Sequence, residues 1–477
     1  MSPSTHKSLP LITQLTYGIG VFSIVVPDVM LAIFFLYFLT GIVGLRPALA
    51  GTVILIGRLW DAVNDLLVGW LSDRTRSIWG RRYPWMVLSV LPLAILLGLL
   101  WWVPPINSQI LLFVYYCLVI LLYDLAVTAV GLPYNALAAE LTQDYRDRTR
   151  LISFQSFFRT GGIILVMLLA QIVFARISNP QQQYGALALL CSLVVILAVG
   201  FCVSGTYRQY QVVRQPTKQS VTVSVEFWPQ IKRIVSDATF WQLVGIYLGS
   251  WISIQIQASV VPYFVILYLG QTETAVTTTI LISQVAAFLM VIVWGALGQR
   301  LDKHHLYLVA IPLWVMAQLL TLLLQPGQIW LFCALMVLAG SGAAAAYIVP
   351  WAMLPDVIDH QELRSGQRSE GMYYGFMVWL QKLGVAVALF VIGIGLDWAG
   401  FVTAADSTNP TQPLSAILTI RGIMGLVPAV LLIGSLLLAY RYPITRQSHA
   451  ETRLILNQRK ELKGNKELKG TIADGKT

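Results

Sequence analysis

The chain is 477 residues long, 57% hydrophobic and 11% charged, with a formal net charge of +10. A soluble globular protein carries roughly 25% charged residues, so most of this chain belongs in lipid. The basic excess is a distribution effect that marks membrane topology and contact with anionic lipid; it gives no reason to expect a nucleic-acid partner.

Twelve apolar stretches reach the roughly 20 residues that a bilayer crossing takes. They fall near residues 15–41, 47–72, 84–104, 108–138, 150–176 and 183–205, then 239–270, 273–300, 305–325, 328–358, 371–400 and 415–441. The runs are long and lack period-two alternation, so they read as helices and not as a barrel. The expected fold is an all-α membrane protein of two six-helix bundles: residues 1–205, a middle loop at 206–238, residues 239–441 and a tail at 442–477. With the N-terminus placed in the cytoplasm, the inner loops collect Arg74, Arg76, Arg81, Arg82, Arg146, Arg148 and Arg150. Further on they collect Arg208, Arg214, Lys218, Lys232, Arg233, Arg300, Lys303, Arg364 and Arg368, whereas the outer loops hold Arg46 and Arg176. That asymmetry puts both termini inside, in a multi-pass protein of the cell inner membrane.

The second stretch is the most informative. Arg58, Asp61 and Asp65 follow an i, i+3, i+7 pattern inside an apolar run, so one helix face carries all three. A charge at that depth costs about 2.5–3.5 kcal/mol on insertion scales, and such a stripe faces a partner or a water-filled cavity. The two acids repel each other unless a cation, a proton or a basic side chain joins them.

The inner end of this stretch reads Gly69-Trp-Leu-Ser-Asp73-Arg74, then Gly80-Arg81-Arg82. At the equivalent place in the second half stands Gly295-Ala-Leu-Gly-Gln-Arg300-Leu-Asp302-Lys303. Six plus six spans with repeated inner loops are the signature of parallel repeats around a central cavity. This pattern resembles the major facilitator superfamily, where such loops lock the cytoplasmic side through charge pairs between helix ends. The resemblance makes Asp73, Arg74, Arg81, Arg300 and Asp302 the expected cytoplasmic gate.

The run from Gly57 to Trp85 also resembles the glycoside–pentoside–hexuronide:cation symporters, the melibiose-permease branch. Leu132-Pro133-Tyr134 with Asp144 and Asp147-Arg148-Thr149 extends the match. So do Leu354-Pro-Asp356 with Asp359, Arg368-Ser-Glu370-Gly371, and Lys382 followed by Gly395-Leu396 and Ala399-Gly400-Phe401. The resemblance covers nearly all twelve spans and implies cation-coupled uptake of a sugar by alternating access. It carries the cation site onto Asp61, Asn64, Asp65 and Thr128, an oxygen set suited to a hard cation such as Na⁺, which Asp61 and Asp65 could hold. Arg58 and Lys382 become the coupling residues. Asp61 and Lys382 each lie about 11 residues from the inner end of their spans, roughly 16 Å at 1.5 Å per residue, so they can meet. Na⁺ and H⁺ both remain open as the coupling ion, and no other cofactor is implied.

Three residues depart from the family pattern. The family's helix-one acid aligns with Val25, whereas Asp28 stands here. Its helix-four acid aligns with Gly131, whereas the nearest acid is Asp124, and its helix-five arginine aligns near Ser156, whereas Arg159 stands here. Each shift moves the side chain outward, by about 4.5 Å for three residues and about 10 Å for seven. The expectation is a solute site displaced outward and lined by Asp28, Asp124 and Arg159, with Trp351 and Tyr373 among the aromatic wall candidates Trp251, Tyr263, Tyr347 and Tyr374. Gln255, Gln257 and Gln381 are candidates to bond the solute or to bridge helices. Animal members of the wider family carry lysophospholipids, so a lysolipid or other amphipathic solute is the alternative to a sugar.

An enzyme would need a nucleophile–base pair or a metal cluster. His6, His304, His305, His360 and His449 lie in loops or tails without ligand spacing on a helix face. Cys117, Cys191, Cys202 and Cys333 fall within spans and read as small core residues. The expected protein is a monomer that is not an enzyme, whose partners are solute, cation and lipid. Its charged end, with the direct repeat in Lys460–Gly470, reads as a solvated tail.

Overall fold

The computed structural model describes residues 9–142, 144–213, 232, 234–298, 300–366, 370–403 and 411–459. Twelve long helices run through it. The first six are α1 (Leu11–Phe35, with a further π turn at Phe38–Ile42), α2 (Pro47–Arg74), α3 (Tyr83–Leu100), α4 (Gln109–Leu141), α5 (Tyr145–Arg176) and α6 (Pro180–Val213). The second six are α7 (Ala238–Tyr263, with a π turn at Phe264–Tyr268), α8 (Glu273–Leu297), α9 (Lys303–Thr321), α10 (Ile329–Ser365), α11 (Glu370–Trp398) and α12 (Leu414–Tyr440). Eleven of these are long and apolar enough to span a membrane; α2 falls outside that set, and it is the helix that carries Arg58, Asp61 and Asp65. The chain is an integral multi-pass membrane protein with the expected all-helical, two-bundle architecture.

Helices α6 and α10 run past the spans expected for them, to Val213 and Ser365. A short helix at 446–459 follows α12, within the stretch expected as the tail. His449 from that helix lies 3.1 Å from Asp359 and 3.4 Å from Asp356, both on α10. Arg214, Lys218, Arg233, Arg368 and the Lys460–Gly470 repeat lie outside the described residues.

Helix starts are fixed by side chains that satisfy the free N–H groups of the first turn. Asp144 accepts from the amides of Arg146 and Asp147 at α5, and Asp237 accepts from those of Thr239 and Phe240 at α7. Gly80 turns the basic loop after α2 with φ +89, and any side chain there would strike the Tyr210 ring of α6.

The two bundles meet at the end away from the basic loops. Tyr263 of α7 and Thr40 beyond α1 share a 2.7 Å hydrogen bond, and the Tyr263 ring stands edge-on to Tyr37 at 5.1 Å. Gln171 of α5 donates to Thr278 of α8 at 3.3 Å. Helices α2 and α11 cross so closely that a Cβ at Gly51 would sit 3.3 Å from the Gly393 Cα. At the basic end, the ion pairs among the described residues stay within one bundle. Glu140 accepts from Arg81 and Arg82, Arg82 also bonds Asp73, and Lys303 bonds Asp356. A cavity therefore remains between the bundles, closed at one end by α1–α7, α2–α11 and α5–α8.

Candidate functional site

Packing of α2 against α4 on one side and α11 on the other sets the site. The Trp60 indole donates to the Leu121 carbonyl at 3.1 Å and pins α2 to α4. Asp61 and Asp65, one turn apart, then face both Thr128 and Lys382. Lys382 Nζ lies 2.9 Å from Asp61 Oδ2 and 2.5 Å from Asp65 Oδ2. The Thr128 hydroxyl stands 3.5 Å from the Oδ1 atom of each acid. Lys382 comes from the second bundle, so this cluster is a joint between the two halves.

Asn64, next to Asp65 in the chain, is fully buried, and neither its amide oxygen nor its amide nitrogen has a hydrogen-bond partner among the described residues. An unpaired buried polar group costs about 1–3 kcal/mol, so this amide is a burden on the fold unless a water or an ion satisfies it. Asp61, Asp65 and Thr128 line the cavity and Asn64 does not; two carboxylates and a hydroxyl are oxygen donors of the kind a hard cation takes.

The cavity has a volume of about 270 Å³. Its polar lining is stacked in two levels along α2. Asp61, Asp65, Thr128 and Lys382 form one; Asp28, Arg58 and Asp124 form the other, further from the basic end. Arg58 precedes Asp65 by two turns, roughly 10 Å along the helix. Its guanidinium lies 3.4 Å from Asp28, and Asp124 packs against Gly57. Trp251, Gln255 and Gln381 complete the polar and aromatic wall from the second bundle.

Several expected residues sit elsewhere. Arg159 is exposed on α5 and does not line this cavity, whose lining residues come from α1, α2, α4, α7 and α11 and none from α5. Tyr373 is buried at the basic end, where its hydroxyl donates to Asp237 at 2.9 Å and its ring meets Phe240 edge-on. Trp351 stacks on Tyr374 and meets Tyr247 edge-on, inside the second bundle. Tyr347 stands edge-on to Trp251, and Tyr263 belongs to the closed end. Gln257 is buried and accepts from Trp314, so it bridges helices.

The gate residues are also redistributed. Asp73 pairs with Arg82, Arg74 lies over the Trp70 ring at 3.9 Å, and Arg81 reaches Glu140. Asp302 lies 3.7 Å from His305, and Arg300 is exposed. None of these contacts crosses from one bundle to the other, as the open basic end requires.

The motif reading gives no role to Tyr123 and Asn135, which line the cavity. The α4 face through Asp124, Thr128, Gly131 and Asn135 repeats at helical spacing, and that period is the signal that would have found Asn135.

The MFS/sugar transport protein family matches residues 16–446. The chain belongs to this family. It is a cation-coupled symporter built on the major facilitator fold, as its motifs led us to expect. A Synechocystis sp. protein named as an uncharacterized symporter is 35% identical over 95% of this chain and 98% of its own length. A sodium-dependent lysophosphatidylcholine symporter of Danio rerio is 25% identical, covering 96% and 91%. An Escherichia coli protein named as a candidate glycoside/cation symporter is 26% identical, covering 86% of each. Among solved structures, the nucleoside transporter NupG superposes with a TM-score of 0.62 over 90% of this chain and 99% of its own, at 15% identity. That likeness concerns the fold alone.

Proposed function

We propose that this family member couples entry of Na⁺ to uptake of a small neutral sugar or glycoside by alternating access. The observation that carries the reading is the bridge from Lys382 to Asp61 and Asp65 at the wall of a cavity open at the basic end. In this reading the basic end is cytoplasmic, by the positive-inside bias, and the structure corresponds to the inward-open state.

Na⁺ would bind among Asp61, Asn64, Asp65 and Thr128 and displace the Lys382 ammonium. The released lysine would no longer tie α11 to α2 in the same way, so cation capture would bias which end opens. A ligand moves such an equilibrium only by its differential affinity for the two states, and contacts drawn from both bundles provide that difference. Asp28 and Arg58 would take solute hydroxyls, with Trp251 as a stacking face and Gln255 and Gln381 as amide partners.

Two features support a compact neutral solute over a lysolipid. Four carboxylates line the cavity against two basic side chains, which disfavours a phosphate headgroup. A volume of about 270 Å³ is also just under the lower limit of about 300 Å³ for ordinary ligand pockets, which leaves no room to enclose an acyl chain. The test is uptake into proteoliposomes holding the purified protein, with a panel of neutral sugars, glycosides, uronates and lysophosphatidylcholine. Accumulation of a neutral sugar that needs an inward Na⁺ gradient and disappears in Asp61→Asn is the expected result. Accumulation of lysophosphatidylcholine alone, or uptake indifferent to Na⁺, would overturn it.

A further inference from the structure

Asp124 differs from the other acids of the cavity. Asp61 and Asp65 share Lys382, and Asp28 has Arg58. Among the described residues Asp124 has no ion pair and no hydrogen bond, although it is only 9% exposed. It lines the main cavity and also a separate void of about 20 Å³ walled by Leu31, Phe35, Ile54, Ile120 and Leu389, with Arg58 the other polar group. One water-sized species needs about 10–15 Å³, so the void admits a single small species and no part of a sugar ring.

A buried carboxylate without compensation is costly, and the two basic side chains of the cavity are engaged by other acids. The charged groups facing Asp124 are Asp28 from α1, Arg58 and Asp61 from α2 and Lys382 from α11, with the Tyr123 phenol beside it on α4. With Asp124 itself the group holds three carboxylates against two basic side chains.

We infer that Asp124 binds a second monovalent cation, distinct from the one proposed at Asp61 and Asp65. A Na⁺ ion confined to that void would find few oxygen ligands, and a proton needs only the carboxylate, so the geometry favours a proton. Asp124 is thereby assigned to ion binding, where sequence position alone had suggested solute contact. If both ions ride with the solute, each turnover carries two positive charges. The inference does not depend on the Asp61–Asp65 reading, and its test uses no solute.

The experiment is infrared difference spectroscopy of the purified full-length protein across a pH jump, paired with a count of radioactive sodium bound at saturation. A carbonyl-stretch band from a buried protonated carboxyl is expected in the native protein. It should persist when Asp61→Asn and Asp65→Asn are combined, move in frequency in Asp124→Glu and vanish in Asp124→Asn. Loss of Na⁺ binding in the double variant with the band intact would bear on the first site alone. If the second cation is Na⁺, the band is absent and the sodium count is two, falling to one in Asp124→Asn. A count of one together with no band, or a band that survives Asp124→Asn, would overturn the inference.

Discussion

Lys382 and Asp65 lie 2.5 Å apart although 317 residues separate them in the chain. The contact joins the eleventh helix to the second and therefore one bundle to the other. Its counterpart at Asp61 makes the lysine a shared counter-ion for two acids that would otherwise repel.

Replacing the lysine exposes that repulsion. In Lys382→Met the two carboxylates face each other without a basic partner, so the protein should lose stability in Na⁺-free buffer. Removing one partner of a buried pair costs about 3–5 kcal/mol, and the partial exposure of this cluster reduces that to about 1–3 kcal/mol. Sodium should restore most of the loss, because an ion at 100 times its Kd stabilises by about 2.7 kcal/mol. Thermal unfolding with and without Na⁺ measures both. A variant melting at the native temperature without Na⁺ would remove the lysine from the coupling scheme.

Asn64 separates a ligand from a packing residue. Its amide is fully buried and unpartnered, so as a structural group it is a burden of about 1–3 kcal/mol. Asn64→Leu should therefore keep or raise the melting temperature in Na⁺-free buffer while abolishing the Na⁺-induced shift. Retention of the shift would mean that the amide oxygen is not a ligand.

The architecture was legible in the sequence because its signals are long. Twelve spans, a polar middle segment and a basic bias are each written over tens of residues. Asp61 and Asp65 were legible from helical spacing in an apolar run, whereas Thr128 and Lys382 were reached only through the family resemblance of the motifs around them. Tyr373 and Arg159 were not, since a residue's level along a helix says little about which way it points. The closed end was also hidden: Thr40 with Tyr263 and Gly51 with Gly393 join distant segments, and no local pattern pairs them.

Tyr373 provides a check on that distinction. Its hydroxyl donates to the Asp237 carboxylate that also caps α7, far from the cavity lining. A hydrogen bond to a charged group contributes about 1.5–3 kcal/mol. Tyr373→Phe should lower the melting temperature by that scale and leave the KM for the transported solute within about twofold of the native value, equivalent to less than about 0.5 kcal/mol. A large rise in KM with unchanged stability would return Tyr373 to the solute site.

The crossing of α2 and α11 sets which end can close. A Cβ added at Gly393 would fall against the Pro47 carbonyl and within 3.2 Å of the Gly51 amide nitrogen, both backbone groups that cannot rotate away. Gly393→Ala should therefore wedge the bundles apart at the end now sealed by Thr40 and Tyr263 and favour the opposite opening. Overpacking of this kind costs about 1–3 kcal/mol in the state that suffers it, and about 1.4 kcal/mol is already a tenfold shift in population. Spin labels on the closed ends of α1 and α7 should report a longer distance in Gly393→Ala than in the native protein. Uptake should fall, because the return to the present state is the disfavoured step. If the distance distribution is unchanged while uptake falls, the glycine contact governs something other than closure at this end.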